Sequence, residues 1–229
     1  MKASLDTNVI IHLYSGNQQE ILFDLFDEGL YIYEFLVNVE LKNHGESIIP
    51  QFQKDVDAGR IKIVTDEWLR SCGIYTLFLE YYQNEEILYA PSDKGEVFAI
   101  ALAKTLGAMC IVTDDTKQFG PHATLMRIPE SEVMPFSFVE VLFLLFISGK
   151  LTAEAVIDKF NTIIAASNNF SWRFENKLKD FVRRFAQSPY SAREKEWMSK
   201  FCTKNLTTFR GCMRELNNQA KVKTTEPES

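Results

Sequence analysis

The chain begins with an apolar run from Ala3 to Leu13, in which Leu5, Val9, Ile10, Ile11 and Leu13 surround a single acid. This pattern predicts a buried first strand ending at Asp6. Ile21, Leu22, Leu25 and Phe26 then recur at helical spacing over Gln18–Glu28, with Gly29 as the stop. Leu30 to Phe35 is aromatic and β-branched and reads as a second strand, after which Val37 to Lys42 begins another helix. A third strand over Ile61–Val64 follows the turn Asp57-Ala58-Gly59, and Asp66 to Gln83 reads as helix. Ser92 to Gly107 gives the clearest helical pattern, followed by the continuous apolar strand Ala108 to Thr113. From Phe136 the pattern is helical throughout, over Phe136–Ser148, Thr152–Ala166, Trp172–Gln187 and Ser191–Leu216, with the final KVKTTEPES expected to fray. No internal repeat is visible.

Strands alternating with helices predict an α/β fold with a mostly parallel central sheet, followed by an α-helical C-terminal extension. The expected boundary separates residues 1–150 from 151–229. Such sheets place ligand sites at the carboxyl ends of their strands, where Asp6 and Asp115 fall. Of the 229 residues 46% are apolar and 24% charged, which excludes a disordered or fibrous chain. Cys72, Cys110, Cys202 and Cys212 are widely spaced and form no Cys-x-x-Cys pair, arguing against a disulfide framework and a structural zinc site. Asp6 interrupts the stretch where a secretory signal would need apolar residues. The longest apolar segment, Phe136–Ser148, is broken by Glu140 and is shorter than a membrane helix requires. A cytoplasmic protein with no membrane partner is therefore expected.

Charge divides unevenly. Residues 1–150 carry 11 Lys and Arg against 22 Asp and Glu, whereas residues 151–229 carry 14 against 9. Either anionic partners are handled by the C-terminal part, or acids in the first part are collected for metal; a chance fluctuation between segments is the plain alternative.

Four acids stand where such a fold would bring them together: Asp6 after the first strand, Glu40 early in a helix, Glu96 at the start of the strong helix and Asp115 after the next strand. Carboxylates gathered at close range disfavour one another's ionisation, so a cluster implies bound cations. Oxygen donors with few histidines suit Mg²⁺ or Mn²⁺. His12, His44 and His122 are dispersed and match no metalloprotease spacing, and each reads as a surface or loop residue. Each acid also has a purely structural reading. Asp93 with Glu96 forms a capping box, Ser92 could equally be the cap, and Asp114 and Asp115 could initiate a turn. Asp6 is the hardest to account for structurally, since an acid within an apolar strand is costly to bury without a neutralising partner.

SLDTNVII at the N-terminus, LVNVEL around Glu40, GEVFAIALAKTLGA around Glu96, and IVTDD followed by Phe119 together resemble the PIN-domain nucleases, including VapC-type toxins. The resemblance covers about residues 1–150. It implies a PIN-like three-layer fold and a Mg²⁺- or Mn²⁺-dependent endoribonuclease that leaves a 5′-phosphate and a 3′-hydroxyl. Asp6 then resembles the first metal ligand, supported by Thr7 and Asn8. Glu40 resembles the second acid, Glu96 the third and Asp115 the fourth, with Thr113 and Asp114 beside it. The third acid is a glutamate after Gly95 rather than an aspartate, which leaves Asp93 as a competing ligand. The Asp114-Asp115 doublet leaves the fourth position open by one residue, and the Thr-x-Asp pattern favours Asp115. The resemblance further implies an RNA substrate, an antitoxin or other protein partner, and a homodimer. A nuclease acting on DNA or on structured junctions shares the same chemistry, and a degenerate module that binds without cleaving is the alternative outside enzymes. A covalent aspartyl mechanism would want a second Asp two residues after Asp6, where Asn8 stands.

Residues 133–160 resemble the helix pair that closes some members of this nuclease branch. Further on, Phe170, Phe174, Phe181 and Phe185 recur at helical spacing, with basic residues along another face, and Trp197 and Phe201 lie one turn apart. Arg173, Lys177, Arg183 and Arg184 are candidates for phosphate contacts, against the alternative of an amphipathic helix with a solvated basic face.

Overall fold

A computed structural model describes residues 1–89, 94–118, 120–128, 131–167, 171–186 and 192–225, with side chains through 222. The chain divides into two compact units, Met1–Phe138 and Val139–Ser229.

The first unit is α/β. In chain order it comprises β1 (Lys2–Leu5), α1 (Thr7–Ser15), α2 (Glu20–Leu25), β2 (Gly29–Tyr33), a π-helical segment Leu36–Leu41, the single turn α3 (Lys42–His44), a 3₁₀ turn Glu46–Ile48, α4 (Ile49–Asp57), β3 (Ile61–Val64), α5 (Asp66–Ser71), α6 (Tyr75–Glu86), α7 (Lys94–Thr105), β4 (Cys110–Val112), α8 (Pro121–Arg127) and β5 (Met134–Phe136). All five strands are parallel, in the order β3-β2-β1-β4-β5. The chain runs outward from β1 to β3, then returns to place β4 on the other side of β1. The strand order therefore reverses between β1 and β4, where Leu5 pairs with Val112. Strands of such a sheet are covered on both faces, and β4 is buried along its whole length.

Several elements depart from the hydrophobic pattern. The apolar run from Val9 to Leu13 is the buried face of α1 and not a continuation of strand, because the chain turns at Asp6, which caps the helix. The helix expected over Asp66–Gln83 is two helices, broken where Gly73 adopts φ +70°. Helix α4, helix α8 and strand β5 have no counterpart among the expected elements, although Ile49, Phe52 and Val56 of α4 recur at helical spacing. Pro135 sits in β5, which as the sheet edge tolerates a residue without an amide donor.

The second unit is helical: α9 (Phe138–Ile147), assigned here from Val139 onward, α10 (Ala153–Ala166), α11 (Phe174–Ala186), α12 (Ala192–Lys204) and α13 (Phe209–Thr225). The division falls earlier than the expected boundary at 150 because α9 is bound into these helices. Phe143 packs edge-on against Phe174 and Phe181, and Glu140 pairs with Arg184. The single helix expected over Ser191–Leu216 is interrupted at Leu206, a non-glycine residue at φ +54°. Helix α13 runs to Thr225, so the start of the segment expected to fray is helical. The four cysteines are free thiols. Among the described residues no helix is long and apolar enough to cross a membrane.

Candidate active site

Asp6 is the first residue past β1 and the N-cap of α1, and it is 2% exposed. Its amide donates to the Val112 carbonyl of the neighbouring strand at 3.0 Å. One carboxylate oxygen accepts the Thr7 amide at 2.7 Å, and the other accepts the Thr113 hydroxyl at 2.8 Å. Thr113 itself is fixed by its amide, which donates to Phe136 of β5. Residues from two adjacent strand ends thus meet over the reversal between β1 and β4, the position where open parallel sheets place ligands.

Glu40 reaches this point from the π-helical segment. The wider turn of a π-helix re-aims side chains and recurs at functional sites. Its Oε2 accepts the Thr7 hydroxyl at 2.7 Å. On its other side the carboxylate lies against the backbone of Gly95. A Cβ at position 95 would come within 2.0 Å of Glu40 Oε1, so only glycine leaves room for it. Asp115 is seated in the same manner: a Cβ at Gly120 would lie 2.5 Å from Asp115 Oδ1. Its Oδ1 accepts the Lys117 amide at 3.1 Å, and exposed Lys117 Nζ stands 3.3 Å from Oδ2.

Burial, and next the charges of Glu40 and Asp115, raise the Asp6 carboxyl from its ordinary 3.8 to about 7, against the lowering effect of the Thr113 and Thr7 hydrogen bonds. Glu40 and Asp115 are therefore each close enough to act on Asp6 electrostatically. The other candidates are placed differently. Glu96 follows Gly95 in the first turn of α7 and acts on the hydroxyl of Tyr89, whose pKa is raised first by burial and then by the charges of Glu85 and Glu96. Asp114 is buried, with Oδ2 2.8 Å from His12 Nδ1 and Oδ1 accepting the Phe138 amide at 2.8 Å. Both its oxygens are thus engaged by protein groups, and Asp114 ties α1 to the residues after β5. His12 is correspondingly a partner of Asp114 on a helix and not a free surface residue. Asn8 is exposed in the first turn of α1. Asp93, Ser92 and Phe119 lie outside the described residues.

Among the described residues no three His, Cys, Asp or Glu side chains are set to hold one metal ion. The donor set nevertheless fits a hard divalent cation. Mg²⁺ keeps several waters and needs only one or two carboxylates, and two of the three acids rest in spaces kept clear by glycine. Gly120 escaped the sequence reading, although the Gly120-Pro121 pair before a helix marks a tight turn. Gly95 also carries a signal, since glycine within an otherwise strong helix costs about 1 kcal/mol and calls for a packing reason.

The basic candidates of the second unit separate. Arg173 and Arg183 are exposed. Lys177 Nζ sits 3.5 Å over the Trp172 ring. Arg184 is 1% exposed, with Nη1 2.9 Å from Glu140 and Nη2 2.5 Å from Glu194, so its candidacy for phosphate contact is corrected. Its spacing gave notice, because three residues after Phe181 it falls on the apolar face of α11.

No protein-family model, curated protein or solved structure matches the chain.

Proposed function

We propose that the first unit is a divalent-metal-dependent nuclease acting on RNA, as its resemblance to PIN-domain nucleases implies. The observation that carries this reading is the convergence of Asp6, Glu40 and Asp115 at the reversal of strand order, with Asp6 pushed up to about 7 by burial and by its two acidic neighbours. Two other buried acids of the unit stand beside a built-in cation: Asp55 has Arg60, and Glu85 has Lys104. Here the basic group in contact, Lys117, is exposed on its side chain. Such an arrangement favours a cation from solution.

Asp6, Glu40 and Asp115 are the residues that would hold Mg²⁺ or Mn²⁺. The bound ion supplies positive charge against the phosphodiester oxygens and acidity for the attacking water. The protein supplies orientation. Thr113 and the Thr7 amide fix both oxygens of Asp6, the Thr7 hydroxyl and the bare backbone of Gly95 fix Glu40, and a turn closed by Lys117 fixes Asp115. Thr7 bridges two of the acids, its amide to Asp6 and its hydroxyl to Glu40, so a shift in one carboxylate is felt by the other.

The experiment is cleavage of labelled single-stranded RNA and matched DNA with Mg²⁺, Mn²⁺ or EDTA, comparing the wild type with Asp6→Asn. Metal-dependent RNA cleavage that falls by more than about 100-fold in the variant supports the reading. Cleavage of DNA in preference to RNA replaces the substrate class, and cleavage undiminished in Asp6→Asn overturns the site.

A further inference from the structure

Helices α11 and α13 of the second unit pack side by side and leave a groove of about 790 Å³. Its floor is apolar, made by Leu178 and Val182 from α11 and by Phe209 and Met213 from α13. Its flanks carry Lys179 and Arg183 on one helix and Arg210 and Arg214 on the other, all four exposed. Each pair is spaced four residues apart, so like charges stack one turn above another on both sides, an arrangement that works against the folded helices. Lys179, Arg210 and Arg214 form no ion pair among the described residues. Arg183 has Asp180 at 3.5 Å, an exposed pair of little strength. One acid, Glu175, joins the lining.

The two properties together select the occupant. A phosphate backbone is recognised through charged and polar contacts, aided by free aromatic faces on which bases stack. This floor is aliphatic except for Phe209, whose ring packs against Phe181 and Phe185 at 5.8 and 6.3 Å. A third helix with one apolar stripe would fill the floor, and acids on both sides of that stripe would answer both basic flanks. We propose that this groove docks an amphipathic helix of a partner protein, with apolar residues at heptad positions a and d and with Glu or Asp at e and g. The proposal is independent of the nuclease reading, since it uses no residue of the first unit.

The test uses the full chain and fluorescence anisotropy. The probes are a labelled three-heptad peptide with Leu at a and d and Glu at e and g, the same peptide with Lys at e and g, and labelled oligouridylate. The acidic peptide is expected to bind at micromolar concentration. The double variant Arg210→Glu/Arg214→Glu should weaken it at least about tenfold, and Arg183→Glu on the opposite flank should weaken it less. The lysine peptide should gain affinity for the double variant. All three arginines are exposed, and circular dichroism checks that the helices persist. Absence of binding by the acidic peptide, or binding indifferent to both variants, overturns the proposal. Tighter binding of oligouridylate that disappears in the double variant assigns the groove to RNA instead.

Discussion

At the carboxyl edge of the sheet Asp6 is buried beside Glu40 and Asp115, whereas in the helical unit Arg184 is buried between Glu140 and Glu194. Both places take charge out of water, which is costly unless a partner compensates. In the helical unit the compensation is covalently part of the chain, and the guanidinium ties α9, α11 and α12 together through hydrogen bonds to Glu140 and Glu194. At the sheet edge the like charges are held in place by hydroxyls, amides and bare glycine backbone, so Asp6 and Glu40 are positioned without a cation in contact, and Asp115 meets the exposed Lys117. A cluster that supplies its own counter-charge has a structural job. One that fixes its acids and leaves the counter-charge to solution is fitted for a ligand.

The sharpest way to break this contrast is to remove each central residue. Arg184→Met should cost about 3–5 kcal/mol in urea unfolding, because buried Glu140 and Glu194 then lose the guanidinium they share. The triple variant Arg184→Met/Glu140→Leu/Glu194→Leu should recover most of that loss. A single variant as stable as the wild type would show that the cluster is not structural.

Asp6→Asn should do the opposite. The folded carboxyl titrates near 7 and the unfolded one near 3.8, so the folded state binds the proton more tightly. Its contribution favours folding below about pH 4, declines between 4 and 7, and is lost above 7. In EDTA at pH 8 the variant should therefore be more stable than the wild type by up to a few kcal/mol, at about 1.4 kcal/mol per pKa unit, and the two should converge near pH 4. Millimolar Mg²⁺ at pH 8 should raise the melting temperature of the wild type and leave that of the variant unchanged. A variant less stable than the wild type at pH 8 contradicts the argument.

The smallest change in stability is expected from Gly95→Ala. The added methyl displaces the end of a flexible glutamate, and alanine gains helix propensity, so thermal melting should move by no more than about 1 kcal/mol. RNA cleavage should nevertheless fall about 10- to 100-fold, because Glu40 loses its seat. Unchanged cleavage would mean that the position of Glu40 is immaterial.

The parallel strands β1 to β4 were readable because continuous apolar runs between helical patterns are local features of sequence. The three-residue β5 is too short to show a period and contains Pro135, which argues against a strand. The break at Leu206 was hidden because a positive φ at leucine leaves no compositional mark, unlike the break at Gly73. Asp6 and Asp115 stand out in the sequence by their positions after strands, and Glu40 and Glu96 by theirs in helices, but the sequence does not divide their labour. Asp114 is distinguished from Asp115 only by His12, 102 positions away, and by the Phe138 amide. The charge of Arg184 points to phosphate contacts, but its place on the apolar face of α11 sets it inside the helical unit.

The hydrogen bond from Thr113 to Asp6 spans 107 positions, and β1 is the only strand that pairs with both β2 and β4. Closing a loop of that length is entropically slow compared with local helix formation, so the acid edge is assembled late in folding. During synthesis Asp6 and Glu40 emerge from the ribosome well before Asp115, and Thr113 finds its backbone partner only when Phe136 has followed. A growing chain therefore cannot bring these residues together until Phe136 has been translated, a delay set by the order of the strands.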